Sequence, residues 1–344
     1  MRALRCHRFA ALDKSGKPLS PPTRVCDVIR LETLPPPPAL DRHKVLISTH
    51  YAGVQYPDFL QAQGLYQIRP ELPYTPGMDV AGVIVDKGSD VSDELRIGDR
   101  VYANTALCPE GGGGTGALAE LVSVSSQAVF PLPLGLQLSS VANLGRNYCA
   151  AYHSLKVIGN VGPNDLVLID GASGGVGMAA VELAKAMGAK VIAGVSHMDK
   201  GALPSAAGAD KVLPYGRDKD QHRKFKAEVK AAAAEMGHPN GVSLIIDVVN
   251  GDLFESLVSC VKPLGTICLV GFVGGQKPLR PGLLLIKEAR VVGSLWGRWA
   301  RENPASFRRN MNEILDFMAT EKIRTRKVDS LFSFEDGIRA FELF

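Results

Sequence analysis

LVLIDGASGGVGMAAVELAKAMGAKVIAGVS (166–196) packs Gly171, Gly174, Gly175 and Gly177 into seven residues between an apolar run and a helical pattern. LVLID reads as a short buried strand that ends at a glycine. MAAVELAKAMGAK reads as a helix that ends at Gly188, and KVIAGVS (190–196) as a second strand. Two explanations compete for the glycines. A tight turn needs them for a sharp reversal and for close helix–strand contact. A phosphate site needs them so that amides at the helix start, with the helix dipole behind them, can approach an anion. Alone the glycines are a weak signal, but inside a βαβ unit they form a dinucleotide fingerprint.

The surroundings extend this pattern. From about Leu138 short apolar strands alternate with helices: KVLPY (211–215), an alanine- and lysine-rich helix over 218–236, SLIIDVV (243–249), TICLVGF (266–272) and ARVVGSLWG (289–297). Such alternation predicts right-handed crossovers and a mostly parallel, doubly wound sheet. The first 140 residues read differently. VLISTHYAGV (45–54), MDVAGVIVDKG (78–88), DRVYA (99–103) and LAELVSV (118–124) are β-rich runs separated by YTPG, RIGD and PEGGGGTG. They predict a compact, irregular β-barrel, with PLSPPTR and LPPPPALD as loops because proline removes ladder donors. From about Pro304 a long helix (ASFRRNMNEILDFMATEK) precedes short β and helical pieces.

Composition limits the function classes. A chain of 344 residues, 46% hydrophobic, suits two domains. A net charge of +4 does not by itself imply nucleic acid. The clusters Arg298, Arg301, Arg308, Arg309 and Lys322, Arg324, Arg326, Lys327 read as solvated helix faces. Cysteines at 6, 26, 108, 149, 260 and 268 include no C-x-x-C pair, which suits neither a disulfide framework nor a structural zinc lobe. A reduced, cytoplasmic setting is expected. No apolar run approaches the ~20 residues of a membrane span. The basic start MRALRCHRFAALDKSGK has a transit-peptide flavour, but ALRCHRF alternates as a first strand and is read as one.

The tip of the second strand bears on cofactor choice. An NAD site usually places an acidic residue there for the ribose 2′-hydroxyl. This chain has VSHMDK, with Ser196 and His197 at the tip and Lys200 just beyond. A hydroxyl and a cation suit a 2′-phosphate, so NADPH is the expected cofactor. Asp199 sits where a helix N-terminus would accept it.

AGVQYPDFLQAQGLYQIRPELPYTPGMDVAG, GRNYCAAYHSL, GASGGVGMAAVELAKAMGA, VSHMDK, GADKVLPY and ARVVGSLWG, in this order, resemble the zinc-independent quinone oxidoreductases. These are zeta-crystallin relatives within the medium-chain dehydrogenase/reductase superfamily. The resemblance spans roughly Val45 to Lys327. It implies an α/β protein: a GroES-like β-barrel catalytic domain (1–140 and 302–344) plus a doubly wound parallel-sheet Rossmann domain (141–301), with NADPH in the cleft between them. It also implies a homodimer joined by Rossmann sheet edges at ARVVGSLWG.

Residue by residue, the resemblance places Gly174, Gly175 and Val176 at the pyrophosphate and Ser196, Lys200 and Tyr215 around the 2′-phosphate. Asn147, Phe272, Val273 and Trp296 fall on the nicotinamide side. Zinc-dependent relatives carry a glycine–histidine–glutamate motif where this chain has Gly77-Met78-Asp79, so a ligand histidine is missing and no metal is expected. His50, alone in ISTHYAGV, reads as a surface or core residue.

Two residues depart from the family pattern. Gln55 replaces the usual asparagine of the GVNFPD-like motif, and Asn147 stands where many relatives have threonine. The family's terminal strand with its glycine–lysine motif has no counterpart after Glu342-Leu343-Phe344. The implied chemistry is metal-free hydride transfer from NADPH to a quinone or related electron-poor carbonyl compound. Gln55, Tyr56 and Tyr66 are the candidates to touch the acceptor oxygen, a tyrosine being the candidate proton donor. Simple packing of Tyr56 and Tyr66 explains them equally well. The alternatives are reduction of enoyl thioesters or alkenals, and a non-catalytic crystallin-like or RNA-associated role.

Overall fold

The structure is a computed structural model, and it describes every residue except Lys14, Pro38, 108–115 and 324–329. Cys108, most of PEGGGGTG, and Arg324, Arg326 and Lys327 therefore lie outside the described residues.

The strands of the β-rich part are β1 (Arg2–Cys6), β2 (Ile29–Thr33), β3 (Lys44–Gly53), β4 (Asp79–Lys87), β5 (Arg100–Asn104), β6 (Leu121–Ser125) and β7 (Val129–Pro131). β1 and β2 pair antiparallel, so the basic start is indeed a strand over Arg2–Cys6. The other strands form an antiparallel sheet in the order β6-β3-β4-β5-β7. Alternation buries Val45 and Ile47 of β3 against Val80, Ile84, Val101, Val122 and Val124. The register shifts between Thr49 and Tyr51, which leaves His50 exposed on the surface.

The parallel part comprises β8 (Leu166–Ile169), β9 (Lys190–Val195), β10 (Lys211–Pro214), β11 (Val242–Asp247), β12 (Val261–Leu269) and β13 (Arg290–Gly293). Their order is β10-β9-β8-β11-β12-β13, every pair parallel. All of β8 is buried, as expected for a strand covered on both faces. The helix Lys219–Glu235 is capped by Asp218, which accepts from Gln221 N at 2.8 Å. Its buried face carries His222, Phe225, Val229, Ala232 and Ala233, the spacing of one helical stripe. That stripe packs on Leu166, Leu168, Ile192 and Ile245. Because the order reverses between β8 and β11, a crevice opens at the carboxyl ends of these strands.

Two compact units emerge. One contains Met1–Arg146, Ala300–Leu315 and the C-terminal residues to Phe344; the other contains Asn147–Trp299 and a return beginning at Asp316. The first crossing thus lies at Arg146/Asn147 rather than at 140/141. The reason is local packing: Val141 and Leu144 are buried, and a Cβ on Gly145 would lie 2.1 Å from Tyr102 Oη and 2.3 Å from Asp79 Oδ1. Within the same unit Phe307 packs edge-on against Phe130 at 5.7 Å. Arg308 departs from the solvated-face expectation. It is half-buried, donates to Val129 O at 3.3 Å and lies 4.9 Å from the Phe130 ring centroid. After the helix Pro304–Ala319 the described tail contains the 3₁₀ turns Gly337–Leu343 and no strand. Among the described residues there is no disulfide, and no helix is long and apolar enough to cross a membrane.

Candidate active site

The glycine loop can be divided between its two explanations. Gly171 has φ +56°, a left-handed conformation that L side chains rarely adopt. A Cβ on Gly177 would sit 2.3 Å from Gly171 O, so the helix Gly175–Ala186 could not approach the strand end. These two glycines serve the turn. Gly174 does not: its φ is −84°, it is exposed, and an added Cβ would meet only Gly171 O, at 3.3 Å. Gly175 is exposed too, and its added Cβ would meet the flexible end of Asn147, at 2.6 Å. The missing side chain at Gly174 therefore keeps the loop bare on its open side. The first intrahelical bond runs from Met178 N to Gly174 O at 2.9 Å. The amides of Gly175, Val176 and Gly177 precede it and point out of the helix start, where an anion is favoured. These residues fit a dinucleotide pyrophosphate.

The other residues of this unit expected to hold the cofactor also gather at strand carboxyl ends. Ser196 follows β9 and Tyr215 follows β10. Tyr215 is buried, its ring edge-on to Phe225 at 6.0 Å, and burial pushes its phenol up to about 12. Lys200 is exposed, on the 3₁₀ turn Met198–Lys200. Phe272 (46% exposed) and Val273 (72%) stand out on a loop tied down by Gly274 N to Val249 O at 2.7 Å. Trp296 is half-buried and opens the helix Trp296–Glu302.

Under this crevice lies a feature the sequence reading passed over. Asp170 and Asp247, at the ends of β8 and β11, are both buried. Asp170 Oδ1 accepts Val248 N at 2.8 Å and Val249 N at 2.9 Å. Asp247 accepts Asn250 N at 2.7 Å and Asn250 Nδ2 at 3.0 Å. Burial, and then the neighbouring Asp247, hold the Asp170 carboxyl well above the usual range; Asp247 is raised by burial as well. Two adjacent buried carboxyls cannot both carry charge cheaply, which favours the protonated form of the pair.

In the first unit the residues of GVQYPD and GLYQ meet GMD and the end of the first crossing. Gln55 precedes the helix Tyr56–Gln63, and its backbone N donates to Asp58 Oδ2 at 2.9 Å. Its side-chain Nε2 donates to Asp79 Oδ2 at 2.6 Å. Tyr102 Oη (2.7 Å) and Asn104 Nδ2 (2.6 Å) donate to Asp79 Oδ1. The extra methylene of Gln55, compared with the family asparagine, is thus used to reach the next strand. Gln55 and Asp58 form the capping box of this helix, and Gln55 Oε1 is buried.

Arg146, which the sequence reading quoted within GRNYC without assigning it a role, is the cation of this cluster. It is buried, and Nη1 donates to Tyr66 Oη at 2.9 Å while the guanidinium lies 5.1 Å from the Tyr66 ring centroid. Its Nη2 is 3.9 Å from Asp58 Oδ1 and touches Met78 Sδ. Burial pushes the Asp58 carboxyl up to about 6, against the opposing pull of Arg146. Tyr56 lies outside this group: it is exposed, and its ring stands 6.1 Å from both Phe59 and Phe344. The structure thus brings Gln55 and Tyr66 into one cluster and leaves Tyr56 beside it. Only an unpaired basic residue at the end of an apolar turn hinted at Arg146, and that signal is common on surfaces. Among the described residues no three His, Cys, Asp or Glu side chains are disposed to hold a metal.

Comparison with known proteins gives matches along most of the chain. Residues 41–134 match the alcohol dehydrogenase GroES-like domain, and residues 175–319 match the zinc-binding dehydrogenase family. The chain is 31% identical over 306 residues to the quinone oxidoreductase-like protein 2 homolog of Nematostella vectensis, covering 88% of this chain and 79% of that protein. It is 30% identical to quinone oxidoreductase-like protein 2 of Bos taurus, with 90% and 84% covered. Among solved structures it resembles Escherichia coli quinone oxidoreductase complexed with NADPH. There the TM-score is 0.79, the identity 22%, and 100% of this chain and 96% of that one are covered.

Proposed function

The chain belongs to the quinone oxidoreductase family of the medium-chain dehydrogenases/reductases, and from that premise we propose that this oxidoreductase is an NADPH-dependent reductase of quinones and related electron-poor carbonyl compounds, working without a metal. The observation that carries the cofactor reading is Gly174, exposed at the helix start with φ −84° and only Gly171 O within 4 Å of an added Cβ. The first-turn amides of Gly175 and Val176 bind the pyrophosphate. Lys200 and Ser196 attract the 2′-phosphate, with Tyr215 beside it. Asn147, Phe272, Val273 and Trp296 line the nicotinamide side, which explains two apolar residues held in the open on a tied loop. When bound, the nicotinamide supplies a hydride.

The residues of the first unit serve the acceptor. Tyr66 is the proton donor, since its oxygen already accepts from Arg146 and its own O–H remains to be given. Gln55, with Nε2 engaged by Asp79, belongs to the same cluster. A homodimer through β13 is the proposed assembly: β13 is a sheet edge, and Leu285 (80%) and Ile286 (81%) are exposed on the neighbouring helix Pro281–Lys287. The cytosol is the proposed compartment.

The test is an acceptor panel with NADPH: 9,10-phenanthrenequinone, 1,2-naphthoquinone, an alkenal and an enoyl thioester. Turnover greatest on the quinones supports the proposal. Turnover confined to the alkenal or thioester replaces the substrate class, and NADPH binding without consumption on any acceptor rejects the enzyme reading.

A further inference from the structure

We propose that Arg146 is the positioning residue of the proton-delivery step: it orients the Tyr66 hydroxyl toward the acceptor and holds the phenolic oxygen after its proton has left. This deepens the reading above and rests on it. Three observations converge. Arg146 is buried, so its charge is not a surface ornament. Its Nη1–H occupies one lone pair of Tyr66 Oη at 2.9 Å, and its Cζ lies over the same ring, 5.1 Å from the centroid. A guanidinium cannot accept a hydrogen bond, so the Tyr66 proton must point to some other acceptor. Asp58 Oδ1 lies 3.9 Å from Nη2, beyond hydrogen-bond distance, so the close side-chain contacts of the guanidinium are to Tyr66 Oη and Met78 Sδ. Arg146 Nε makes no hydrogen bond among the described residues.

The step balances as follows. Hydride addition to an electron-poor carbon displaces the electron pair of the double bond onto the acceptor oxygen. The Tyr66 O–H bond breaks, its proton bonds to that oxygen, and the electron pair stays on Tyr66, where the Arg146 N–H meets it. Water then returns a proton to Tyr66. The reductant is the reduced nicotinamide dinucleotide of the proposed function.

The experiment compares wild type, Tyr66→Phe, Arg146→Gln and the double variant, with Arg146→Lys to preserve a cation should Arg146→Gln fold poorly. Steady-state turnover and its solvent isotope effect are measured on a quinone and an enone. In parallel, the ¹³Cζ resonance of Tyr66 is recorded in the unliganded, tyrosine-labelled protein. A charge-assisted hydrogen bond lost from the transition state predicts a drop in kcat of about 10- to 100-fold for Arg146→Gln. The proposal further predicts little change in KM, a larger solvent isotope effect, partial retention in Arg146→Lys, and no additional loss in the Tyr66→Phe background. The Tyr66 resonance moves in Arg146→Gln. Equal losses from Arg146→Gln with and without the Tyr66 hydroxyl overturn the proposal while leaving the function intact, as does an unmoved resonance. A wild-type protein that binds NADPH but consumes it with none of the acceptors overturns both.

Discussion

Gln55 Nε2 donates to Asp79 Oδ2 at 2.6 Å, and both side chains are buried. The bond fastens the start of the helix Tyr56–Gln63 to β4. Gln55→Asn shortens the reach by one methylene and leaves a buried carboxylate with one donor fewer. We expect a loss of about 1–3 kcal/mol in urea unfolding. An unchanged unfolding midpoint would show that the bond contributes nothing.

Gly174→Ala and Gly177→Ala separate the two uses of the loop. Gly177→Ala drives a Cβ to 2.3 Å from Gly171 O and should destabilise the unit that contains it. Gly174→Ala brings its Cβ only to 3.3 Å from the same oxygen, so it should cost far less stability than Gly177→Ala while NADPH affinity falls by about tenfold or more. If calorimetric titration finds full affinity in Gly174→Ala, the loop is a turn and the cofactor reading loses its main support.

Lys200 is the exposed cation at the tip that follows β9. Lys200→Glu places a negative charge where the 2′-phosphate is proposed to sit. The ratio of NADPH to NADH affinity should fall by about 10- to 100-fold, most of it through NADPH. Equal weakening of both dinucleotides would place Lys200 elsewhere.

Asp170 and Asp247 predict a pH dependence of stability. Both carboxyls are raised in the folded protein, so the fold binds protons that the unfolded chain has released. Their contribution is fully present below the unfolded value near pH ~4 and is lost as pH rises through the raised folded values. Asp170→Asn keeps an oxygen for Val248 N and Val249 N but removes the competing charge. Its melting temperature at neutral pH should exceed wild type by about 2–4 °C, and the gap should close toward pH ~4. A gap that widens on acidification would reverse the sign of this account.

Periodicity made the fold legible. The run of wholly apolar β8 and the alternating β3 announce buried and half-buried strands directly. The strand ends that carry Ser196, Tyr215, Phe272 and Trp296 were legible for the same reason, because each follows an apolar run that reads as a strand. The domain crossing was placed six residues early, since Gly145 packing on Asp79 and Tyr102 is a tertiary contact with no local signature. Arg146, Asp170 and Asp247 were missed because burial gives them their roles. An arginine or aspartate beside a strand end reads as solvated until its neighbours are known.

The central claim is tested most directly by following dinucleotide oxidation with 9,10-phenanthrenequinone as acceptor, NADPH and NADH side by side. The account predicts quinone-dependent oxidation with kcat/KM for NADPH at least about tenfold above that for NADH, the least a charge-assisted 2′-phosphate contact should supply. No quinone-dependent oxidation of either dinucleotide, or a preference for NADH, would contradict it.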